Sequence, residues 1–146
     1  MHEVLLSSVY ADAVKAHPAC LSLATALQWQ TPESKTAQVN SGIVTFSARD
    51  VVPVGVKNYH YATLEMKLES QIDDTEGGRA THLARANLLL VAVKDEDPTT
   101  CLQHAINTAV PRRLIHKGHV ITGGGRPTES RNWTASVLLR VLFAPA

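Results

Sequence analysis

Cysteine, aromatic residues and charge are all scarce in this chain. Of 146 residues, two are cysteines, 5% are aromatic and 18% are charged, with a formal net charge of +1. Cys20 and Cys101 lie far apart and outside any CxxC spacing. That excludes a disulfide framework and a paired-cysteine metal or redox motif, and each thiol reads as a small core hydrophobe. The near-neutral charge provides no basic field for nucleic acid and no acidic tail. No repeat or low-complexity segment is present. The N-terminus lacks a basic leader, and the apolar stretch after Met1-His2-Glu3 is broken by Ser7, Ser8 and Asp12. It reads as neither a signal peptide nor a membrane span, so the expectation is a soluble protein made in a cytoplasm. A GxSxG elbow, an HExxH pair and a GxxxxGK[ST] frame are also missing.

What is present is pattern. Apolar residues make up 45% of the chain, enough at this length for one sizeable core. Tyr59–Ser70 alternates: His60, Ala62, Leu64, Met66 and Leu68 on one face, Tyr59, Tyr61, Thr63, Glu65, Lys67 and Glu69 on the other. Period two of this kind marks a half-buried antiparallel strand. Asn132–Phe143 repeats it, with Trp133, Ala135, Val137, Leu139, Val141 and Phe143 inward. Its opposite face, Leu138 and Leu142 with Arg140, is also partly apolar. That face is expected to be covered, by the chain itself or by a neighbour.

Residues 3–16 read as a helix with a stripe of Leu5, Val9, Ala13 and Ala16, ended by His17-Pro18. Ala19–Gln28 fits a short helix or an extended segment equally well. Gly42–Ser47 reads as a strand, and Asp50–Lys57, broken by Pro53 and Gly55, as an edge strand or connection. Arg79–Lys94 is the clearest helix, with Leu83, Ala86, Leu90 and Val93 inward. Asp97 and Pro98 begin the next helix, which buries Leu102, Ala105, Ile106 and Ala109. Leu114–Thr122 is a strand, and Gly123–Arg131 a nine-residue loop before the last strand. Two groups of strands separated by helices predict an α+β fold, a mainly antiparallel sheet packed in two layers against amphipathic helices.

Seven histidines raise the question of a metal. His116 and His119 are three apart within a strand, which predicts opposite faces, and no companion ligands complete a site. His60 reads as a hydrogen-bonded buried or interface histidine. Gly123-Gly124-Gly125-Arg126 follows a strand without a helix N-terminus behind it and reads as a hairpin tip rather than a phosphate cradle. Arg112, Arg113, Lys117, Arg126 and Arg131 cluster around the final hairpin. They read as a phosphate-binding patch or as a basic loop that meets an acidic surface of a protein partner.

The order of elements, with Leu64–Asp74, Arg79–Lys94 and Leu114–Phe143 carrying most of the likeness, resembles the tail terminator (tail completion) proteins of long-tailed bacteriophages. The likeness extends over Glu3–Phe143 and rests on layout, since that family has no catalytic motif to match. The segment Thr31–Lys57, rich in strand signals, departs from it. The resemblance implies a single domain spanning 1–146 and a structural virion protein, made in the host cytoplasm and resident in the tail or neck. It implies a homo-oligomeric ring, typically a hexamer, that stops tail-tube growth and joins tail to head. Its partners would be copies of itself, the tube protein and a head-side connector. No enzyme activity, metal, cofactor, membrane or sequence-specific nucleic acid is expected. The candidate contact tips are Asp73, Asp74 and Glu76 in one turn and Gly123, Gly124, Gly125, Arg126 and Arg131 in the other. The alternative is a small oligomeric α+β enzyme or ligand-binding domain whose interface pocket uses His60, His116, His119 and Arg126.

Overall fold

A computed structural model describes residues 3–30, 42–53, 59–71, 76–109, 114–127 and 132–143. The described elements are α1 (Glu3–Ala16), a 3-10 turn (Pro18–Cys20), α2 (Leu21–Ala26), β1 (Gln28–Gln30), β2 (Ile43–Pro53), β3 (His60–Gln71), α3 (Glu76–Lys94), α4 (Leu102–Ala109), β4 (Leu114–Pro127) and β5 (Asn132–Phe143). The strands form one sheet in the order β1-β2-β3-β5-β4. Only the β1–β2 pair is parallel. The fold is α+β and two-layered, as the alternation of β3 and β5 predicts.

One face of the sheet is dry. Val44, Phe46, Ala62, Leu64, Met66, Leu68, Val137, Leu139, Val141 and Phe143 share a parity in the register and are all buried. The helices cover them with Leu6, Tyr10, Val14, Leu89, Val93, Leu102 and Ile106. Each such side chain removed from water contributes about 1.5–3 kcal/mol, and this face supplies most of the core.

The helical stripes are rotated from the expected ones. In α1, Leu6, Tyr10 and Val14 are buried at i, i+4 spacing, whereas Ala16 is exposed. Tyr10, the largest side chain of the helix, takes the inward position and turns Ala16 out. In α3 the buried set is His82, Leu89, Ala92 and Val93, and Leu83 is 37% exposed. A polar side chain that finds a partner in the core displaced an apolar one. Pro18 ends α1 as expected, and Ala19–Gln28 resolves into the 3-10 turn, α2 and the start of β1. Asp97 caps a turn rather than α4 itself: its Oδ1 accepts from the Thr99 backbone at 2.9 Å and hydroxyl at 2.8 Å, and α4 begins at Leu102.

Two turn boundaries are corrected. Glu76 opens α3, so Glu76, Gly77 and Gly78 are helical rather than part of the acidic turn. Gly123–Pro127 belongs to β4, which takes five residues out of the expected nine-residue loop. Register shifts between Ile121 and Gly123 and between Gly124 and Arg126 accommodate the glycines, because bulges absorb residues that weaken a regular ladder. β1 covers β2 only over Ile43–Thr45. Pro53 therefore sits where β2 borders the sheet, at a position that needs no outward amide.

Candidate interaction surface

Among the described residues, three polar constellations have the residue types of chemistry, and in each the polar atoms pair with one another. The His17 Nε2 atom donates to Asp95 Oδ2 at 2.7 Å, and its Nδ1 accepts from the Ala19 amide at 3.0 Å. With both ring nitrogens engaged, this Asp–His pair has no free base for a substrate. It clasps the end of α1 to the α3–α4 connection instead. Ser70 Oγ and His82 Nδ1 lie 2.8 Å apart, but His82 is fully buried. Tyr10 Oη and His116 Nδ1 are 3.0 Å apart, and the His116 amide donates to Gln103 Oε1 at 2.7 Å. Tyr10 is fully buried, and burial raises its hydroxyl's pKa far above the ordinary range. Cys20 is buried, and burial raises its thiol to about 11, which makes it a core hydrophobe rather than a nucleophile.

These groups set the acid response. Burial lowers the pKa of His82 and of His116 below the ordinary 6.5, the latter helped by His119. The unfolded chain then takes up protons that the folded one refuses, so stability is full above about pH 6.5 and falls as pH drops through the lower folded values. Asp95 is held at about 2, first by the Thr100 hydroxyl, then by the Asp97 amide and His17. Its contribution is present above its unfolded value of 3.8 and lost as pH falls through about 2. Melting temperature against pH should therefore fall in two steps, and Asp95→Asn should shrink the lower step, to which Asp97 held down by Thr99 also contributes, and leave the upper one.

The histidine pair is corrected. A bulge places Lys117 as the extra residue between His116, which faces Val141, and His119, which faces Leu139. Val141 and Leu139 are two apart on β5, so the two histidines share the helix-side face. The strand period was broken by one residue. Among the described residues no group of three histidine, cysteine or acidic side chains is placed to hold a metal. His60 stacks on Phe143 with ring centroids 5.6 Å apart, and its buried Nδ1 has no hydrogen-bond partner among the described residues. Arg126 pairs with Thr134, seven residues along β5 from Val141. At about 3.4 Å per residue it stands roughly 24 Å from His116. The four residues of the alternative pocket do not converge.

The strand ends that border the expected contact tips lie at one end of the sheet. Gln71 pairs with Asn132 and Pro127 with Trp133. Glu76 begins α3, and Gly123, Gly124, Gly125 and Arg126 lie within β4. Asp73, Asp74 and Arg131 fall outside the described residues.

The sheet face away from the helices is open among the described elements. At the end opposite those tips, register aligns Val52, Tyr61, Leu142 and Ile115 side by side across four strands. Val52, Tyr61 and Ile115 are 55%, 47% and 44% exposed. Val120, beside Leu138, is exposed as well. A row of apolar residues across an open face marks an interaction surface. The sequence already showed Leu138 and Leu142 pointing outward. It did not show that Tyr61, Val52 and Ile115 stand beside Leu142.

The neighbouring row is built differently. Thr63 faces Arg140, which faces Gly118. Bulges flank this row on both sides, at residues 49–50 of β2 and at Lys117 of β4. Tyr61, Thr63, Lys117 and Arg140 line a shallow groove of about 530 Å³. Gly118 has φ +146° and nothing within 4 Å of where a Cβ would sit. The missing side chain leaves the space beside Arg140 open, and the backbone there favours glycine. Gly118→Ala should destabilise through conformation alone, by about 1–3 kcal/mol in urea unfolding. Glycine inside a strand pattern is the one sequence signal that pointed to this bulge.

No helix among the described residues is long and apolar enough to cross a membrane. No protein-family model matches the chain, and comparison with curated proteins returns no match.

Proposed function

We propose that this protein is a structural subunit that works by assembling with copies of itself into a closed ring, and that the ring caps the tube of a long-tailed phage tail. The observation that carries the self-assembly is the uncovered outer sheet face with its apolar row Val52, Tyr61, Leu142 and Ile115. An isolated antiparallel sheet with one wet face alternates cleanly between apolar and polar; here the wet face is apolar at one end. A second support is the sheet border. β4 is 14 residues long and among the described residues pairs only with β5, and a long open border is a template for another chain. A contact that joins one patch to a different patch on the next copy closes into a ring when the rotation fits.

The tail-terminator reading adds the partners: the tube protein on one side of the ring, a head-side connector on the other, and the virion as residence. It rests on the order of elements, a long strand followed by a helix pair and a closing hairpin. The closed state of the internal dyads supports a role without catalysis. Negative-stain electron microscopy of concentrated protein tests it. Closed rings of uniform diameter are expected. Single protomers, or a stoichiometric small molecule bound between side chains, would overturn it.

A further inference from the structure

We infer that the groove lined by Tyr61, Thr63, Lys117 and Arg140 receives the acidic segment between β3 and α3 of a second copy. This rests on the self-assembly proposed above and names its contact. The groove presents an ammonium, a guanidinium and two hydroxyls beside an apolar row, and no acid among the described residues lines it. By register Asp50 falls in the β2 bulge opposite Thr63, and Glu65 stands two residues along from Thr63 on β3. Among the described residues, neither Lys117 nor Arg140 has an ion-pair partner. The matching chemistry in this chain is Ile72-Asp73-Asp74, an apolar side chain followed by two carboxylates. Carboxylate to guanidinium is a charge-assisted contact with directional donors, and the isoleucine has Tyr61 and Leu142 to cover.

The contact must join two molecules. Thr63 and Gln71 stand eight residues apart on β3, about 27 Å along the strand. The four residues from Gln71 to Glu76 are tied at both ends and, even fully extended, span about 17 Å. One protomer's acidic segment cannot reach its own groove. Donor and acceptor at opposite ends of one strand make a head-to-tail contact, the kind that generates rings. The chain's own Arg126 lies in β4 toward that end of the sheet, and Arg126 with Arg131, the residue that precedes β5 in the sequence, defines the control.

The test is sedimentation velocity of the full chain and three variants. Lys117→Glu with Arg140→Glu, and separately Asp73→Lys with Asp74→Lys, should each raise the self-association constant for dissociation at least tenfold. An equimolar mixture of the two should recover association, because each then meets its complement. Arg126→Glu with Arg131→Glu should change it less than threefold. Wild-type assembly indifferent to the first two pairs, or sensitive only to the third, overturns this contact while leaving self-assembly intact. A wild type that stays monomeric overturns the self-assembly and the contact together.

Discussion

Phe46→Ala should cost about 3–5 kcal/mol of unfolding free energy, the largest loss expected from a single truncation in this fold. Phe46 is fully buried on β2, with Met66 opposite it on β3. Its ring stacks on Trp29 at a centroid separation of 6.2 Å and an interplanar angle of 15°. Trp29 in turn donates its indole N–H to the Leu23 carbonyl at 3.1 Å. One ring therefore ties the short parallel strand β1 and the end of α2 to the sheet. Removing it leaves a cavity and also frees the only described strand that shields part of the β2 border. Domains of this size have total stabilities near 5–15 kcal/mol, so the variant should unfold at markedly lower urea, with Trp29 emission shifting to the red in the folded baseline. Phe46→Leu, which keeps most of the volume, should cost much less. Equal losses for the two would mean that packing at this point does not hold β1 in place.

The second large effect belongs to the open face. Tyr61→Glu with Leu142→Asp should abolish self-assembly without unfolding the protomer. Tyr61 is 47% exposed and faces Leu142 directly across β3 and β5. In a free protomer two added carboxylates at this place stay near water, and surface changes of that kind move stability by roughly half a kcal/mol. In an assembly the same groups are driven into an apolar contact with no partner. A penalty of about 3 kcal/mol, within the range for a stranded charge, corresponds to a dissociation constant raised by about two orders of magnitude. Unchanged urea unfolding together with lost assembly is the expected pair of results. Retained assembly would move the contact elsewhere on the molecule.

The alternation of β3 and β5 was legible because period two depends only on which residues go to water. Ala62, Leu64, Met66 and Leu68 are buried as their spacing requires. The helical stripes were less so, because two adjacent registers of α1 and α3 both have apolar residues, and size and hydrogen bonding chose between them. Tyr10 and His82 took the inward positions, and no count of apolar residues favours a histidine. The glycines of β4 concealed a strand, since Gly123, Gly124 and Gly125 resemble a loop until Ser136 and Ala135 are found to pair with two of them. The candidate surface was the least legible part. Its rows depend on cross-strand register and on two bulges, neither of which is local in sequence. Lys117 reaches the groove because it is the surplus residue between His116 and Gly118.

Sedimentation equilibrium of the wild-type chain, from micromolar to millimolar protomer, measures the central claim directly. A protein built to present an uncovered apolar sheet face to its own copies should reach a single closed stoichiometry with a mass several times that of the 15.8 kDa chain. A mass that stays at one protomer across the whole range would contradict the account.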